Sequence, residues 1–251
     1  MIELNKIYNA DCLEKMKDIP DGSIDAVICD LPYGTTSNKW DAVIPFEPMW
    51  EQYHRVCKPN AAIVLFAGQP FTSMLVMSNI KEFRHEWIWQ KNRGSNFANT
   101  VREPMKEHEE IIVFSRGSWT YNKQMEERAE GGKSRAKYNC KFESKSTNYR
   151  NFESRENNVL TELRVPSSVQ KCNTETNHFH PTQKPVALLQ YLVRTYSNEG
   201  ETVLDSCCGS GTTAIAAIRE KRNWICIEKS EEYFNIAKKR IENELKQPTL
   251  F

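Results

Sequence analysis

An acid, a rigid turn and an aromatic ring occur together in the segment Asp30-Leu31-Pro32-Tyr33, directly after the apolar run 24–29. Such a run is typical of a buried strand. At the end of that strand the Asp30 carboxylate could accept hydrogen bonds from an amine, and the Tyr33 ring could stack on a flat base. Pro32 restricts the turn between them. The segment therefore indicates a pocket for a flat, amine-bearing ring.

A second segment, residues 203–213, places Asp205 and then two glycines at a strand-to-helix turn. It fits the loose Gly-x-Gly-x-x-Ala pattern of nucleotide-binding turns, and Glu228 ends the next apolar run, where an acid could bind ribose hydroxyls. The pattern alone fits a dehydrogenase equally well. Only forty residues follow Gly211, too few for the rest of an ordinary dinucleotide fold. Earlier strands must complete the sheet, which predicts a permuted order.

The elements that position these segments follow an α/β rhythm. Short apolar runs bounded by turn residues predict six buried strands, at residues 24–29, 61–67, 86–89, 111–115, 202–205 and 224–227. Apolar residues three and four apart predict two amphipathic helices, one presenting Val186, Leu189 and Val193 and the other Phe234, Ala237, Ile241 and Leu245. Alternating strands and helices predict a mostly parallel sheet with helices on both faces.

The segment 116–178 breaks this rhythm and is predicted to be an insert. It has twelve basic and eight acidic residues, interleaved with Trp119, Tyr121, Tyr138, Phe142, Tyr149 and Phe152. Basic side chains bind phosphates and aromatic rings stack on bases, so the insert is predicted to bind nucleic acid. The alternative is a surface insertion with a small core of its own.

Composition limits the function classes. The net charge is +1, so any nucleic-acid contact must be local. Eight cysteines occur without a Cys-x-x-Cys pair, which argues against a zinc site and predicts no metal. The start lacks an apolar secretory core, and no apolar run reaches the length of about 20 residues that spans a bilayer. We expect a soluble protein without membrane contact, in a reducing, cytoplasmic setting.

Two segments resemble the motifs of one known enzyme family. Residues 30–33 resemble the catalytic Asp-Pro-Pro-Tyr motif of the S-adenosylmethionine-dependent DNA amino-methyltransferases, and residues 204–213 resemble their Asp-Pro-Phe-x-Gly-Ser-Gly-Thr-Thr cofactor motif. A catalytic motif that precedes the cofactor motif is the order of the β group of this family. Further matches, in sequence order, are residues 9–13, 58–60, 108–109 and 180–185.

The resemblance covers nearly the whole chain outside the insert and implies a fold and a domain plan. The fold is a Rossmann-like methyltransferase fold with circularly permuted motif order. Residues 1–115 would form the catalytic half, 116–178 the target-recognition insert and 179–246 the cofactor half. Two departures stand out: Leu31 replaces a proline, and Ser206-Cys207-Cys208 replaces Pro-Phe-x. The first leaves the peptide carbonyl in place, whereas the second removes ring area beside the cofactor.

The resemblance also implies a reaction, the transfer of a methyl group from S-adenosylmethionine to the exocyclic N6 amine of adenine in duplex DNA. The Asp30 carboxylate and the Leu31 carbonyl would accept the two amine hydrogens, Pro32 would fix the turn and Tyr33 would stack on the flipped base. In this family an acid at position 30 usually accompanies adenine as the target base, whereas a serine there usually accompanies cytosine. Methylation of cytosine N4 stays open.

The implied cofactor site draws on both halves of the chain. Its residues are Asp11, Cys12, Asp30, Lys184, Asp205, Cys207, Gly209, Gly211, Thr212, Thr213 and Glu228. Asp205 and the glycine turn would face the methionine part, Glu228 the ribose and Asp11 the adenine ring. Thr212, Thr213 and Lys184 would bind the carboxylate of the cofactor.

Other readings stay open from the sequence. A non-catalytic DNA-binding module, a nicotinamide dehydrogenase and an enzyme acting on an RNA or protein amine each explain part of the pattern. The resemblance also implies that the chain could pair into a homodimer. Residues 247–251, Gln-Pro-Thr-Leu-Phe, resemble the peptides that bind the bacterial replicative sliding clamp. The alternative is that Leu250 and Phe251 fold back onto the protein's own core.

Overall fold

The computed structural model describes residues 2–36, 38, 41–130, 133, 162–175, 179 and 182–246. The chain divides into two compact units, one formed by Met1–Asn122 with Ser168–Phe251 and the other by Lys123–Ser167. In the smaller unit β6 (Glu126–Glu127) pairs antiparallel with β7 (Leu163–Arg164). Residues 134–161, a little under half of the predicted insert, lie outside the described residues, so its boundaries and its role in DNA recognition stay predictions.

The larger unit is built on an eight-stranded sheet in the order β1-β10-β9-β2-β3-β5-β4-β8. Every neighbouring pair is parallel except the two that involve β5. The mostly parallel sheet is therefore confirmed. The strands are β1 (Lys6–Asn9), β2 (Ile24–Asp30), β3 (Cys57–Ala67), β4 (Phe83–Ser95), β5 (Lys106–Phe114), β8 (Val169–Lys171), β9 (Thr202–Asp205) and β10 (Asn223–Glu228).

All six predicted strands are present in this sheet. The strands that the sequence did not predict, β1, β6, β7 and β8, have two to four residues each. A segment of two or three residues is too short to show a strand pattern, and β1 has an exposed residue at each end, unlike the fully buried β9 of the same length. Neighbouring strands, and not local pattern, define these four. The permuted motif order stays a prediction, because the strand order of this chain alone does not test it.

Helices cover both faces of the sheet. They are α1 (Cys12–Met16), α2 (Phe46–Val56), α3 (Phe71–Ser78), α4 (Val186–Tyr196), α5 (Thr212–Arg219) and α6 (Glu231–Lys246). Alternate residues of β2 and β3 point to opposite faces: Val27 and Leu65 share a core with α1, α2 and α3, whereas Ile28 and Val64 share one with α4. None of the helices in the described ranges has both the length and the apolar composition needed to cross a membrane.

The two predicted amphipathic helices are α4 and α6. The predicted face of α4 is buried throughout. In α6 the residues Ala237 and Ile241 are buried, but Leu245 is 62% exposed, so the predicted apolar face ends one turn early. The last turn of α6 has no buried residue.

The parallel strands bring distant acids to one edge. Asp30 ends β2, Asp205 ends β9 and Glu228 ends β10, and these three strands lie side by side in the sheet. The carboxyl edge of a parallel sheet is where ligands bind in folds of this kind. The two segments singled out from the sequence therefore meet at one edge.

Candidate active site

A cavity of about 510 Å³ lies at the carboxyl edge of the sheet. All of the predicted catalytic residues line it, and so do all of the predicted cofactor residues except Gly211. These are Asp11, Cys12, Asp30, Leu31, Pro32, Tyr33, Lys184, Asp205, Cys207, Gly209, Thr212, Thr213 and Glu228. The structure thus joins the two predicted pockets into one continuous space.

Donors hold both carboxylate oxygens of Asp30. The Tyr33 hydroxyl donates a hydrogen bond to Oδ1 at 2.8 Å, and the Lys184 ammonium pairs with Oδ2. Burial raises the pKa of the Asp30 carboxyl above its ordinary value, and the Lys184 charge opposes that rise. Because each carboxylate oxygen carries two lone pairs, both oxygens can still accept a second hydrogen bond.

Lys184 lies beside Asp30. Its side chain is only 6% exposed, and its Nζ atom also lies 3.3 Å from Oε2 of Glu109. Burial works against the charge of the ammonium group, but the carboxylates of Asp30 and Glu109 outweigh it and raise the pKa of Lys184. Lys184 is therefore a charged member of the group around Asp30. Its predicted contact with the cofactor carboxylate stays a prediction.

Glu109 is a cavity residue that the sequence analysis did not assign to the site. It lies on β5, lines the cavity and pairs through Oε1 with Lys91 of the neighbouring strand β4. Burial acts to raise the pKa of the Glu109 carboxyl, yet Lys184 and Lys91 hold it below its ordinary value. Asp30, Lys184, Glu109 and Lys91 form a chain of alternating charges. The match at residues 108–109 marked the segment without giving Glu109 a role.

The Tyr33 ring has one covered face. It stacks on Phe71 of α3, with 5.2 Å between the ring centroids and an angle of 23° between the planes. Burial and the nearby Asp30 carboxylate raise the pKa of the Tyr33 hydroxyl well above its ordinary value, so it stays a neutral donor. Stacking of Tyr33 on a substrate base stays a prediction.

The loop after Tyr33 is fixed by Asp41, a second residue missed by the sequence analysis. The Asp41 carboxylate accepts backbone N–H bonds from Gly34 at 2.9 Å, Thr35 at 2.9 Å and Thr36 at 2.6 Å. Burial acts to raise the pKa of Asp41, but these N–H bonds lower it below its ordinary value. Gly34 has φ +68°, a conformation that suits glycine. Asp41 gave no sequence signal because its partners are backbone atoms.

Two acids shape the turn after β9. The backbone N–H of Cys207 donates to Asp205 at 3.1 Å, and that of Gly209 donates to Glu228 at 2.8 Å. Burial raises the pKa of Asp205 to about 6 and also raises that of Glu228. Thr212 and Thr213 follow as the first residues of α5, so the positive end of that helix faces the cavity.

Gly211 packs against α6 and does not line the cavity. It has φ +80°, and a Cβ atom placed on it would lie 3.0 Å from the Cβ of Ala237 and 3.3 Å from Cδ1 of Ile241. Arg240 of the same helix donates to the Ser210 carbonyl at 2.7 Å and to the Ser210 hydroxyl at 2.8 Å. The structure therefore explains Gly211 by close packing of the turn, and its predicted cofactor contact stays a prediction.

Asp11 also lines the cavity. Its carboxylate caps α1 by accepting the Leu13 N–H at 3.0 Å, and it pairs with Lys229 at 3.1 Å. Burial acts to raise the pKa of Asp11, but the Lys229 bond and the backbone N–H bonds lower it. His180 and Pro181 lie outside the described residues. Within the ranges that the structure describes, no group of three or more His, Cys, Asp or Glu side chains could hold a metal ion.

Comparison with known sequences gives one consistent family. The model of the N6 and N4 methyltransferases, described as DNA methylase, matches residues 24–239. The Type II methyltransferase M.HpaI of Haemophilus parainfluenzae is 27% identical over 95% of this chain and 74% of its own length. The Type II methyltransferase M1.MboII of Moraxella bovis is 26% identical over 94% of this chain and 96% of its own length.

Solved structures agree with this assignment. The crystal structure of the M1.HpyAVI–SAM complex matches with a TM-score of 0.64 and 26% identity over 94% of this chain and 98% of that one. The PvuII DNA methyltransferase, described as cytosine-N4-specific, matches with a TM-score of 0.65 over 98% of this chain and 87% of that one. At 15% identity the second match shows the fold alone.

Proposed function

We propose that this chain, which belongs to the N6 and N4 DNA methyltransferase family, methylates the N6 amine of adenine in duplex DNA. DNA methylation with S-adenosylmethionine as cofactor follows from the family and from relatives that match 94–95% of this chain. The choice of adenine depends on one observation, the carboxylate of Asp30 at the position where the resemblance associates an acid with adenine. Family membership removes the dehydrogenase alternative.

The cavity residues fit S-adenosylmethionine. A cavity of about 510 Å³ is within the range of roughly 300–1,000 Å³ that small-molecule sites occupy. Asp11 and Glu228 offer carboxylate oxygens to the adenine ring and the ribose hydroxyls. Thr212 and Thr213, the first residues of α5, offer backbone N–H groups to the carboxylate of the methionine part. The cofactor supplies an electrophilic methyl group on a sulfonium.

The residues around Asp30 prepare the amine. The exocyclic nitrogen of adenine shares its lone pair with the ring and is a poor nucleophile. The Asp30 carboxylate and the Leu31 carbonyl accept its two hydrogens, which favours a tetrahedral nitrogen with a free lone pair. The hydroxyl of Tyr33 and the ammonium of Lys184 hold the carboxylate in place, so that positioning and electrostatic stabilisation carry the catalysis. The excess proton on the methylated nitrogen leaves to Asp30 or to water.

The test is to map modified bases in DNA from cells that express the chain. We expect N6-methyladenine in a defined sequence context, and a loss of about 10²–10³-fold in methylation rate for Asp30→Ala. Asp18→Ala removes an exposed carboxylate that pairs only with Lys15 in the part of the chain described and is the matched control. N4-methylcytosine in place of N6-methyladenine would overturn the choice of adenine. Equal methylation by Asp30→Ala would overturn the role of Asp30.

The acceptor is tested separately. Transfer of a labelled methyl group to duplex DNA, RNA and protein from the same cells is measured side by side. We expect label in DNA alone. Label in RNA or protein would contradict DNA as the substrate of this chain, and an absence of label in all three would favour the non-catalytic DNA-binding module.

A further inference from the structure

Two strands of the sheet continue past the catalytic cavity. Asp30 lies opposite Phe66 of β3, Phe66 opposite Ile111 of β5, and Ile111 opposite Trp87 of β4. Beyond this level β5 continues to Lys106 and β4 to Ser95. The extra length of β5 amounts to about 17 Å at the usual rise of a strand. The two strands therefore form a hairpin that projects from the edge where the cavity lies.

The closed end of this hairpin, residues 93–106, is called the β4–β5 tip below. It carries two large apolar side chains in water: Phe97 is 81% exposed and Val101 is 91% exposed. Their backbone has a defined shape, because Asn99 N–H donates to the Asn96 carbonyl at 3.0 Å and Arg102 N–H donates to the Asn99 carbonyl at 2.9 Å. The tip thus presents apolar groups on a preformed turn.

The two strands of the hairpin approach closely at Gly94. A Cβ atom placed on Gly94 would lie 2.2 Å from Cγ of Met105, so the Met105 side chain crosses the space that a side chain at position 94 would fill. Met105 therefore packs against Gly94 across the hairpin, beyond the pairing of β4 with β8, which ends at Gln90.

The charge of the tip suits a polyanion. Arg93, Arg102 and Lys106 form no side-chain hydrogen bond or ion pair with any residue that the structure describes, whereas Glu103 is held by Asn96 at 2.6 Å. Lys106 also links the tip to the site. A Cβ atom on Gly68 would lie 2.6 Å from Lys106 Nζ and 3.7 Å from Cε2 of Tyr33, so the ammonium group and the tyrosine ring flank the same glycine.

We propose that the β4–β5 tip is a DNA-contacting element, with its three cations on phosphates and with Phe97 and Val101 entering the duplex beside the target base. Apolar side chains inserted between base steps partly unstack them, which assists removal of a base from the stack. The proposal rests on DNA methylation by this chain, but not on whether the target is adenine or cytosine.

The charge contribution is tested by the salt dependence of binding to a short duplex of random sequence. Arg93→Ala with Arg102→Ala is compared with Lys238→Ala with Lys239→Ala, which removes two exposed charges from α6. We expect the slope of log Kd against log salt to fall by about 0.9 for each lost phosphate contact in the tip variant. The α6 variant should keep the wild-type slope. Equal slopes in both variants would overturn the phosphate contacts.

The apolar contribution is tested with Phe97→Ala combined with Val101→Ala, and with Leu245→Ala as an exposed apolar control. Methyl transfer is measured on two duplexes that carry the mapped target sequence, one fully paired and one with an abasic site opposite the target base. For the variant with Phe97→Ala and Val101→Ala we expect a loss of about tenfold in kcat/KM on the paired duplex. On the abasic duplex we expect a loss of less than about threefold, because an unpaired base leaves the stack at lower cost.

The readouts separate this proposal from the choice of base. An equal loss on both duplexes, or no loss on the paired one, would overturn insertion of the tip. A target that proves to be cytosine changes the sequence used and leaves this comparison intact.

Discussion

Asp30 is held from both sides before any substrate arrives. Tyr33 and Lys184 each donate to one of its carboxylate oxygens, which fixes the plane of the carboxylate through buried donors. The carboxylate is therefore oriented before the substrate binds, and little reorganisation is needed at the moment of reaction. Lys184 in turn is balanced by Glu109. The charge state of Asp30 therefore depends on Lys184 and Glu109, which lie outside the segment 30–33.

This dependence predicts a shift in the pH profile for Lys184→Met. Without the ammonium group, the opposing effect on the pKa of Asp30 is lost while burial remains, so the pKa rises further above its ordinary value. If the ionised carboxylate is the working form, the acid limb of kcat against pH moves to higher pH. The measurement is labelled methyl transfer at saturating substrate across the acid and neutral range.

Lys91→Met is the matched control, since Lys91 also pairs with Glu109 but has no contact with Asp30 among the ion pairs that the described residues form. Its acid limb should move less than that of Lys184→Met. An unchanged acid limb in Lys184→Met would show that Lys184 does not set the ionisation of Asp30.

At the scale of elements, the start of α5 and the side of α6 determine the shape of the glycine turn. Gly211 serves two requirements at once, a positive φ and the space that Ala237 and Ile241 leave. Arg240 holds the preceding residue, Ser210, from the same side. The turn is therefore positioned by a helix whose residues come after it in the chain.

Alanine substitutions at Gly211 and Gly200, whose φ angles are nearly equal, separate the effect of the positive φ from the effect of packing against α6. Gly211→Ala places a methyl group against α6, whereas Gly200 has φ +81° and nothing within 4 Å of an added Cβ. Gly200→Ala should lower the free energy of unfolding by about 1–2 kcal/mol through the left-handed conformation alone. Gly211→Ala should lower it by about 1–3 kcal/mol more, as overpacking does.

Chemical denaturation of the two variants measures the difference. If both lose the same stability, α6 adjusts freely to the added methyl group and the packing explanation of Gly211 is wrong. The loss of S-adenosylmethionine binding in Gly211→Ala, followed by calorimetry, would then report on a cofactor contact instead.

At the scale of the whole molecule, DNA contact has to be local because the net charge is +1. The described part of the larger unit offers one such place in the β4–β5 tip, next to the edge where Asp30, Asp205 and Glu228 meet. The predicted insert would be another, with its basic and aromatic residues. Its central residues lie outside those that the structure describes.

The end of the chain gives a prediction at this scale. Residues 247–251 lie outside the described residues, and their sequence predicts binding to the replicative sliding clamp through Leu250 and Phe251 as apolar anchors. Deletion of these five residues should abolish recovery of the chain on immobilised clamp and leave the methylation rate unchanged. Recovery that is equal with and without the segment would dispose of the prediction.

Local pattern was enough for six of the strands, two of the helices and the two segments that meet at the cavity. The run 24–29, the acid that follows it, and the glycines after Asp205 each carry their signal within a few residues, because strand periodicity and turn chemistry are local properties. The resemblance of residues 30–33 and 204–213 to known motifs added the reaction and the cofactor. Both segments lie where a parallel sheet is expected to place them.

Only the tertiary structure placed Lys184 and Glu109 beside Asp30, gave Asp41 its three backbone partners and turned Gly211 toward α6. Each of these contacts joins segments whose proximity depends on strand order, register or the path of a loop. Those properties are set by packing across the whole sheet and leave no mark on the residues themselves. The sequence therefore identified the chemical groups of the candidate site, and the fold determined which of them are in contact.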